Sequence, residues 1–152
     1  MPNTQLALIS LTAGMAISLQ SSLSGQLSQR INNPLLASAS VYLIGLLGIA
    51  VYLATHRSQL PAREILSQVP LYLWLTGGLI SALALSTIYK VMPDFGVAST
   101  LLFVICGQLL VGAVVSHFAW FGMPAAPLTP TRLASLLLVL AGASLYNYQP
   151  AA

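Results

Sequence analysis

Charged side chains are nearly absent from this sequence. Of its 152 residues, five are Lys or Arg and two are Asp or Glu, a charged fraction of 5%, whereas soluble domains carry about 25%. Apolar residues make up 57% of the chain, and a soluble domain of this size leaves roughly a third of its unfolded surface exposed. The composition therefore excludes a water-soluble globule and indicates an integral membrane protein.

Residues and motifs of enzymes and metal sites are also missing. Cys106 is the only cysteine, so no disulfide can form within the chain. The sequence has no spaced Cys/His set, P-loop, dinucleotide fingerprint or nucleophile elbow. We therefore expect no metal, no cofactor and no enzymatic activity. The net charge of +3 comes from a few loop arginines and indicates membrane anchoring, with no nucleic-acid partner.

The seven charges separate five long uncharged tracts, each with room for one membrane span of about 20 helical residues. The sequence thus predicts an all-α integral membrane protein, a single membrane domain over residues 1–152. A cleaved signal peptide is not expected, since the first five residues contain no Lys or Arg, and residue 1 is expected to begin the mature protein. The five predicted helices cover about 4–29, 34–55, 70–90, 95–118 and 130–148.

Local signals mark several helix boundaries. Asn33 followed by Pro34, and Thr129 followed by Pro130, have the pattern of an N-cap and a first helical turn. A short interfacial helix is expected within residues 56–69. Lys90 is expected to close the third span, and residues 93–96 to form a tight connection to the fourth.

Uncharged polar residues inside the spans are the main functional signal. Gln20, Ser24 and Gln26 lie in the first span and Gln108 near the middle of the fourth. An unpaired glutamine amide in hydrocarbon costs several kcal/mol, so these side chains must face protein or water. Gln108, Gly112 and Ser116 follow at i, i+4 and i+8 and share one helix face.

Two interpretations of these residues stay open. They can hold helices together by hydrogen bonds, or they can line a water-accessible chamber that binds a solute. Clustering favours the chamber for Gln20 and Gln108, whereas Ser18, Ser21 and Gly25 suit close helix packing. Candidate substrate-binding residues are Gln20, Ser21, Ser24, Tyr42, Gln108 and Ser116. Candidate packing or dimer-interface residues are Gly14, Ser18, Gly25, Gly77, Gly78, Gly107 and Gly112.

No Asp or Glu falls inside a predicted span. Proton-coupled carriers generally need a titratable group within the membrane, and a small multidrug exporter would use an intramembrane Glu to bind organic cations. Both the cation site and that exporter type are disfavoured, and a neutral or anionic polar metabolite is the expected solute.

The order of short motifs resembles the YdcZ-type family of small inner-membrane exporters in the bacterial drug/metabolite transporter superfamily. The resemblance covers nearly the whole chain. The matching residues are Gln20, Gly25, Gln26 and Leu27 in the first span, Asn33, Pro34, Ala37 and Ser38 in the second, Trp74, Gly77 and Gly78 in the third, Pro93, Gly96, Gly107, Gln108 and Leu109 around the fourth, and Arg132 and Leu133 at the fifth.

The resemblance implies a multi-pass protein of the bacterial inner membrane, with a five-helix protomer equivalent to half of a ten-helix carrier and therefore a homodimer. Two positions depart from the family pattern. Ser24 stands where an asparagine is frequent, and Ser116 precedes His117 where the family often has an acidic residue. If that acidic residue couples transport to protons, this chain couples differently or is a facilitator. A non-transporting membrane-assembly subunit is the alternative function.

Overall fold

The computed structural model describes residues 3–57 and 60–148, so the expected mature amino terminus at residue 1 lies outside the described residues. The described chain is helical and contains no strand. A short 3-10 turn, Trp120–Gly122, follows the fifth helix. The helices are α1 (Asn3–Ile31), α2 (Pro34–Thr55), α3 (Arg63–Gln68), α4 (Leu71–Phe95), α5 (Val97–His117) and α6 (Pro130–Tyr146).

Four of these helices, α1, α2, α4 and α5, are long and apolar enough to cross a membrane. Their large apolar side chains point outward: Ile44 is 67% exposed and Leu83 is 68% exposed. A surface of this kind suits lipid and not water. The all-α membrane class is therefore confirmed. The apolar helix α6 has 17 residues, about 25 Å at 1.5 Å per residue, which is short for a hydrocarbon layer of ~30 Å.

Both predicted N-caps are confirmed. The Asn33 side-chain oxygen accepts a hydrogen bond from the Leu36 N–H at 3.0 Å. The Thr129 hydroxyl accepts one from the Arg132 N–H at 3.3 Å. In each case a proline occupies the first turn, where its missing N–H costs nothing because that donor would have no partner in the helix.

The connection between α4 and α5 differs from the predicted one. Helix α4 continues beyond Lys90 to Phe95 and contains Pro93, so the expected four-residue connection shrinks to Gly96. Asp94, expected outside the spans, therefore lies in the last turn of a helix long enough to cross a membrane. Pro93 removes only one helical donor and lies in the last turn, where the preceding turns hold the helix together. Gly96 then adopts φ +85°, a left-handed conformation that glycine reaches without a steric penalty, and this ends the helix. Helix α3 lies within the segment where a short helix was expected.

The chain forms two compact units, residues 1–94 and 95–152, and each is described by itself. Serine makes up much of the buried surface of the first unit, together with Ala37, Tyr89 and Met92. Gly25 lies so close to Met92 that a Cβ on Gly25 would meet the Met92 Sδ at 2.8 Å. The absence of a side chain at Gly25 thus lets Met92 of α4 lie directly against α1, and a Cβ there would require the Met92 side chain to shift. The buried serines of this unit are Ser21, Ser24, Ser28, Ser38 and Ser86.

Serine and threonine hydroxyls on the outer helix faces bond to their own helix. Ser10 donates to the Leu6 carbonyl at 2.8 Å, and Thr76 donates to the Tyr72 carbonyl at 2.7 Å. This backbone bonding satisfies the hydroxyl proton locally. Such residues can therefore face lipid without forming a site.

Candidate functional site

The first predicted site residue, Gln20, belongs to a hydrogen-bonded cluster inside the first unit. Its Nε2 donates to the Ser24 Oγ at 3.0 Å and to the Tyr89 Oη at 2.8 Å. Tyr89 is 0% exposed and Ser24 is 7% exposed. We call Gln20, Ser24 and Tyr89 the Gln20 cluster. The cluster connects α1 to α4 through Gln20 and Tyr89, which are 69 positions apart in sequence.

The Gln20 cluster uses both donors of the amide. A glutamine amide carries two N–H groups, and these are paired with Ser24 and Tyr89. The Gln20 Oε1 lies 3.5 Å from the Oγ of the buried Ser21. A further molecule could therefore hydrogen-bond to Gln20 chiefly by donating to its Oε1. The amide protons of Gln20 already hold α1 against α4.

Further polar contacts join α2 to α4 in the same unit. The Tyr42 hydroxyl donates to the Ser81 Oγ, and the Oγ atoms of Ser38 and Ser86 are 2.6 Å apart. Tyr42, a predicted substrate-binding residue, is thus half-buried with its hydroxyl proton bonded within the protein.

Sequence reasoning missed the α4 partners of these contacts, Ser81, Ser86 and Tyr89. One signal was available. At 100° per residue, these three polar residues fall on one side of a helix. Hydropathy alone could not say which neighbouring helix that side would contact.

The second polar region is a cleft in the second unit, between α5 and α6. Its volume is about 470 Å³, within the 300–1,000 Å³ range of small-molecule sites. Gln108, Gly112 and Ser116 line one wall, so the helix face predicted from their i, i+4, i+8 spacing does border a single cavity. Arg132 and Ser135 line the opposite wall. We call this space the α5–α6 cleft.

The side chains of the α5–α6 cleft leave several polar atoms available. Among the described residues, no hydrogen-bond partner occurs for the Gln108 amide or the Ser116 hydroxyl. Arg132 donates from Nη1 to the Pro127 carbonyl at 2.8 Å, which leaves four of its five N–H donors. The Ser135 hydroxyl donates to the Thr131 carbonyl at 2.9 Å and can therefore only accept from a ligand. The cleft offers mainly donors, one of them cationic.

Hydrogen bonds hold the loop between α5 and α6 in place beside the cleft. The Ala126 N–H donates to the Ser116 carbonyl at 2.8 Å, and the Leu128 N–H donates to the His117 Nδ1 at 3.0 Å. With the Arg132 bond to the Pro127 carbonyl, three consecutive loop residues, 126–128, are hydrogen-bonded to α5 or α6. His117 therefore acts as an acceptor at Nδ1, which places its proton on Nε2 in the neutral ring.

Arg132 and Ser135 are functional candidates that the sequence reasoning did not select. Arg132 was recognised as the residue that opens the last helix, and Ser135 follows it at i+3 on the same helix face. That spacing was the available signal. The structure separates the predicted site residues into two groups: Gln20, Ser21, Ser24 and Tyr42 lie in the first unit, and Gln108 and Ser116 lie in the second.

The predicted packing residues also divide. Gly25 makes the close approach to Met92, and Ser18 is half-buried and donates to the Gly14 carbonyl at 2.9 Å. For the other five, a Cβ added to the glycine would meet nothing within 4 Å. Their role at an interface between protomers stays a prediction. These five are Gly14, Gly77, Gly78, Gly107 and Gly112.

Long apolar helices with outward-facing leucines define a multi-pass membrane protein. Its polar side chains are partly buried, as in the Gln20 cluster, and partly exposed, as at Gln108. A family model described as "Putative inner membrane exporter, YdcZ" matches residues 5–145. The chain therefore belongs to the YdcZ family, which confirms the resemblance seen in the sequence, and it is a membrane transporter by that membership. No curated protein and no solved structure matches the chain.

Proposed function

We propose that the protein moves a small polar metabolite, neutral or anionic, across the bacterial inner membrane by alternating access. The α5–α6 cleft is the observation that carries this proposal. It combines a volume of small-molecule size with polar side chains, Gln108 and Ser116, that have no protein partner among the described residues. Polar groups of this kind within a membrane are costly unless a solute or water bonds to them.

The Gln20 cluster supports a more limited contribution to binding. Since the Gln20 amide protons are paired with Ser24 and Tyr89, a solute would reach Gln20 only through its Oε1. The cluster equally favours the alternative function, a non-transporting membrane-assembly subunit whose polar residues hold helices together. We assign the principal binding role to Gln108 and a secondary role to Gln20 and Ser24.

The proposal includes a fifth membrane crossing by α6 and an antiparallel homodimer. Seventeen residues reach the lower limit for a spanning helix, and local thinning of the bilayer can accommodate a short one. With five spans, Arg57, Arg63 and Arg132 fall on one side of the membrane and Arg30 and Lys90 on the other. Three against two is too small a bias to fix one orientation under the positive-inside rule.

Two oppositely oriented copies would form the inverted-repeat arrangement of larger carriers. Each protomer is then half of a ten-helix carrier, and the α5–α6 cleft of each copy borders the transport chamber between the two copies. The topology is tested by carboxy-terminal reporters, one active only in the cytoplasm and one only outside it. Comparable signals from both support the antiparallel dimer, and a signal from one reporter alone refutes it.

Function is tested by Gln108→Leu, an apolar substitution of similar size. Proteoliposomes are screened for uptake of radiolabelled polar metabolites, and solutes transported by the wild-type protein are then tested with the variant. Transport should be lost while expression and dimer size remain normal, because only the cleft wall has changed. Gln68→Leu, the same substitution at an exposed residue of the short helix α3, is the matched control and should retain transport. Undiminished transport by Gln108→Leu would remove Gln108 from the site, and dissociation of the dimer would favour the assembly subunit.

A further inference from the structure

The charge of the α5–α6 cleft is not balanced within its own unit. Arg132 lines the cleft, and no acidic side chain lies within salt-bridge distance of it among the described residues. The only acidic residues in the sequence are Glu64 and Asp94, and both belong to the first unit. Among the described residues of its own unit, Arg132 in the cleft therefore has no acidic partner.

The position of Arg132 in its helix adds to this positive potential. Arg132 lies in the first turn of α6, which begins at Pro130. The amino-terminal end of a helix carries a partial positive charge from its unpaired N–H groups. The guanidinium is also held in place, because its Nη1 bonds to the Pro127 carbonyl. A fixed cation requires less ordering when a ligand binds than a freely rotating side chain does.

The remaining walls limit the ligand's shape. Leu109, Leu136 and Val139 line the cleft, so its apolar surface leaves few positions where a ligand's polar groups can bond. Gln108 lies eight residues before Ser116, about 12 Å along α5. The cleft thus suits an elongated solute with a polar group at each end.

We propose that the α5–α6 cleft binds a small organic anion, with the carboxylate at Arg132 and the uncharged polar remainder reaching toward Gln108. The Ser116 hydroxyl can donate to the anionic end, and Ser135 can accept from a hydroxyl of the solute. This inference rests on the proposed function, since it names the substrate class of the same cleft. A lipid phosphate could supply the same anionic oxygens, and the experiment separates the two sources.

The test measures the potential inside the cleft without requiring transport. Ser135→Cys is introduced into the Cys106→Ala protein, and its thiol is labelled in neutral detergent at low salt. Two methanethiosulfonates are compared, one bearing a sulfonate and one a trimethylammonium group. The ratio of the two labelling rates at the protein thiol is divided by the ratio of the same two rates measured with 2-mercaptoethanol. Ser116→Cys, on the opposite wall, repeats the measurement if the first variant does not fold.

We expect the normalised ratio to favour the sulfonate reagent about tenfold. Two reagents of opposite unit charge about 6 Å from a guanidinium differ by that factor even at the dielectric constant of water. Arg132→Gln should bring the ratio close to one. Arg63→Gln, an equal change of charge outside the cleft, should leave it unchanged. A ratio near one in the parent, or a ratio unaffected by Arg132→Gln, overturns the proposal.

Competition identifies the source of the anion. Lactate, succinate and gluconate are each added during labelling, with sorbitol as the uncharged counterpart of gluconate. Slower labelling with at least one carboxylate and not with sorbitol supports a solute site. Slowing by none of the three, or only by added phosphatidylglycerol, overturns it. If the labelling result holds while metabolite transport is absent, the proposed function fails and the anion site stands.

Discussion

The hydrogen bond between Gln20 and Tyr89 provides the sharpest test of the packing of α1 against α4. Tyr89→Phe keeps the buried ring and removes only the hydroxyl that accepts from the Gln20 Nε2 at 2.8 Å. Gln20 would retain its bond to Ser24 and lose the partner of its other amide proton. The substitution therefore isolates one contact between helices.

The expected cost follows from two terms. Hydrogen bonds between helices in membranes contribute about 0.6 kcal/mol on average and up to about 1.7 kcal/mol. A donor left unpaired in a buried position adds about 1 kcal/mol. We expect Tyr89→Phe to lower the free energy of unfolding by about 1.6–2.7 kcal/mol, the sum of the two terms. The coupling free energy with Gln20→Leu should be about 0.6–1.5 kcal/mol, because the double variant has lost both partners.

The assay is reversible unfolding in mixed micelles of dodecyl maltoside and dodecyl sulfate, followed by the loss of helical circular dichroism. Tyr72→Phe is the matched control, since Tyr72 is in the same helix and 61% exposed, and its substitution should change stability by less than about 0.5 kcal/mol. Additive effects of Tyr89→Phe and Gln20→Leu would refute the reasoning, since they would mean that the two side chains do not interact in the folded protein.

Three further predictions use other parts of the fold. Gly14→Ala should raise the free energy of unfolding by up to about 1 kcal/mol, because alanine has the higher helix propensity. Gly25→Ala should raise it by less, or lower it, because the new Cβ meets Met92. Equal effects of the two substitutions in the same unfolding assay would contradict the close approach of Gly25 to Met92. Asn33→Ala should cost about 1 kcal/mol of unfolding free energy through the lost cap, and an unchanged stability would exclude a role for that bond. Transport should vary little between about pH 6 and 8, since Glu64 lies in the short helix α3 and Asp94 in the last turn of α4, away from the middle of a span. A steep dependence that disappears in His117→Gln would assign coupling to that histidine.

Local sequence signals were sufficient to predict the long helices and the residues of α5 that form one wall of the cleft. Charge spacing and apolar tracts predicted long helices, and the Asn33 and Thr129 caps marked where two of them begin. Helical periodicity placed Gln108 and Ser116 on one face and brought Gln20 within reach of Ser24. These features depend on residues a few positions apart, whose relative geometry in a helix is fixed by 3.6 residues per turn.

Contacts between helices were decided only by the tertiary structure. The rotation of α4 that brings Tyr89 to Gln20, across 69 positions of sequence, depends on how side chains of different helices fill space together. The same holds for Arg132, which became part of a cleft because α6 packs against α5. A membrane removes the hydrophobic contrast that orients helices in soluble proteins, since lipid and protein interior are equally apolar. Periodicity of hydropathy therefore could not say which faces meet, and packing of small residues and a few hydrogen bonds determined it.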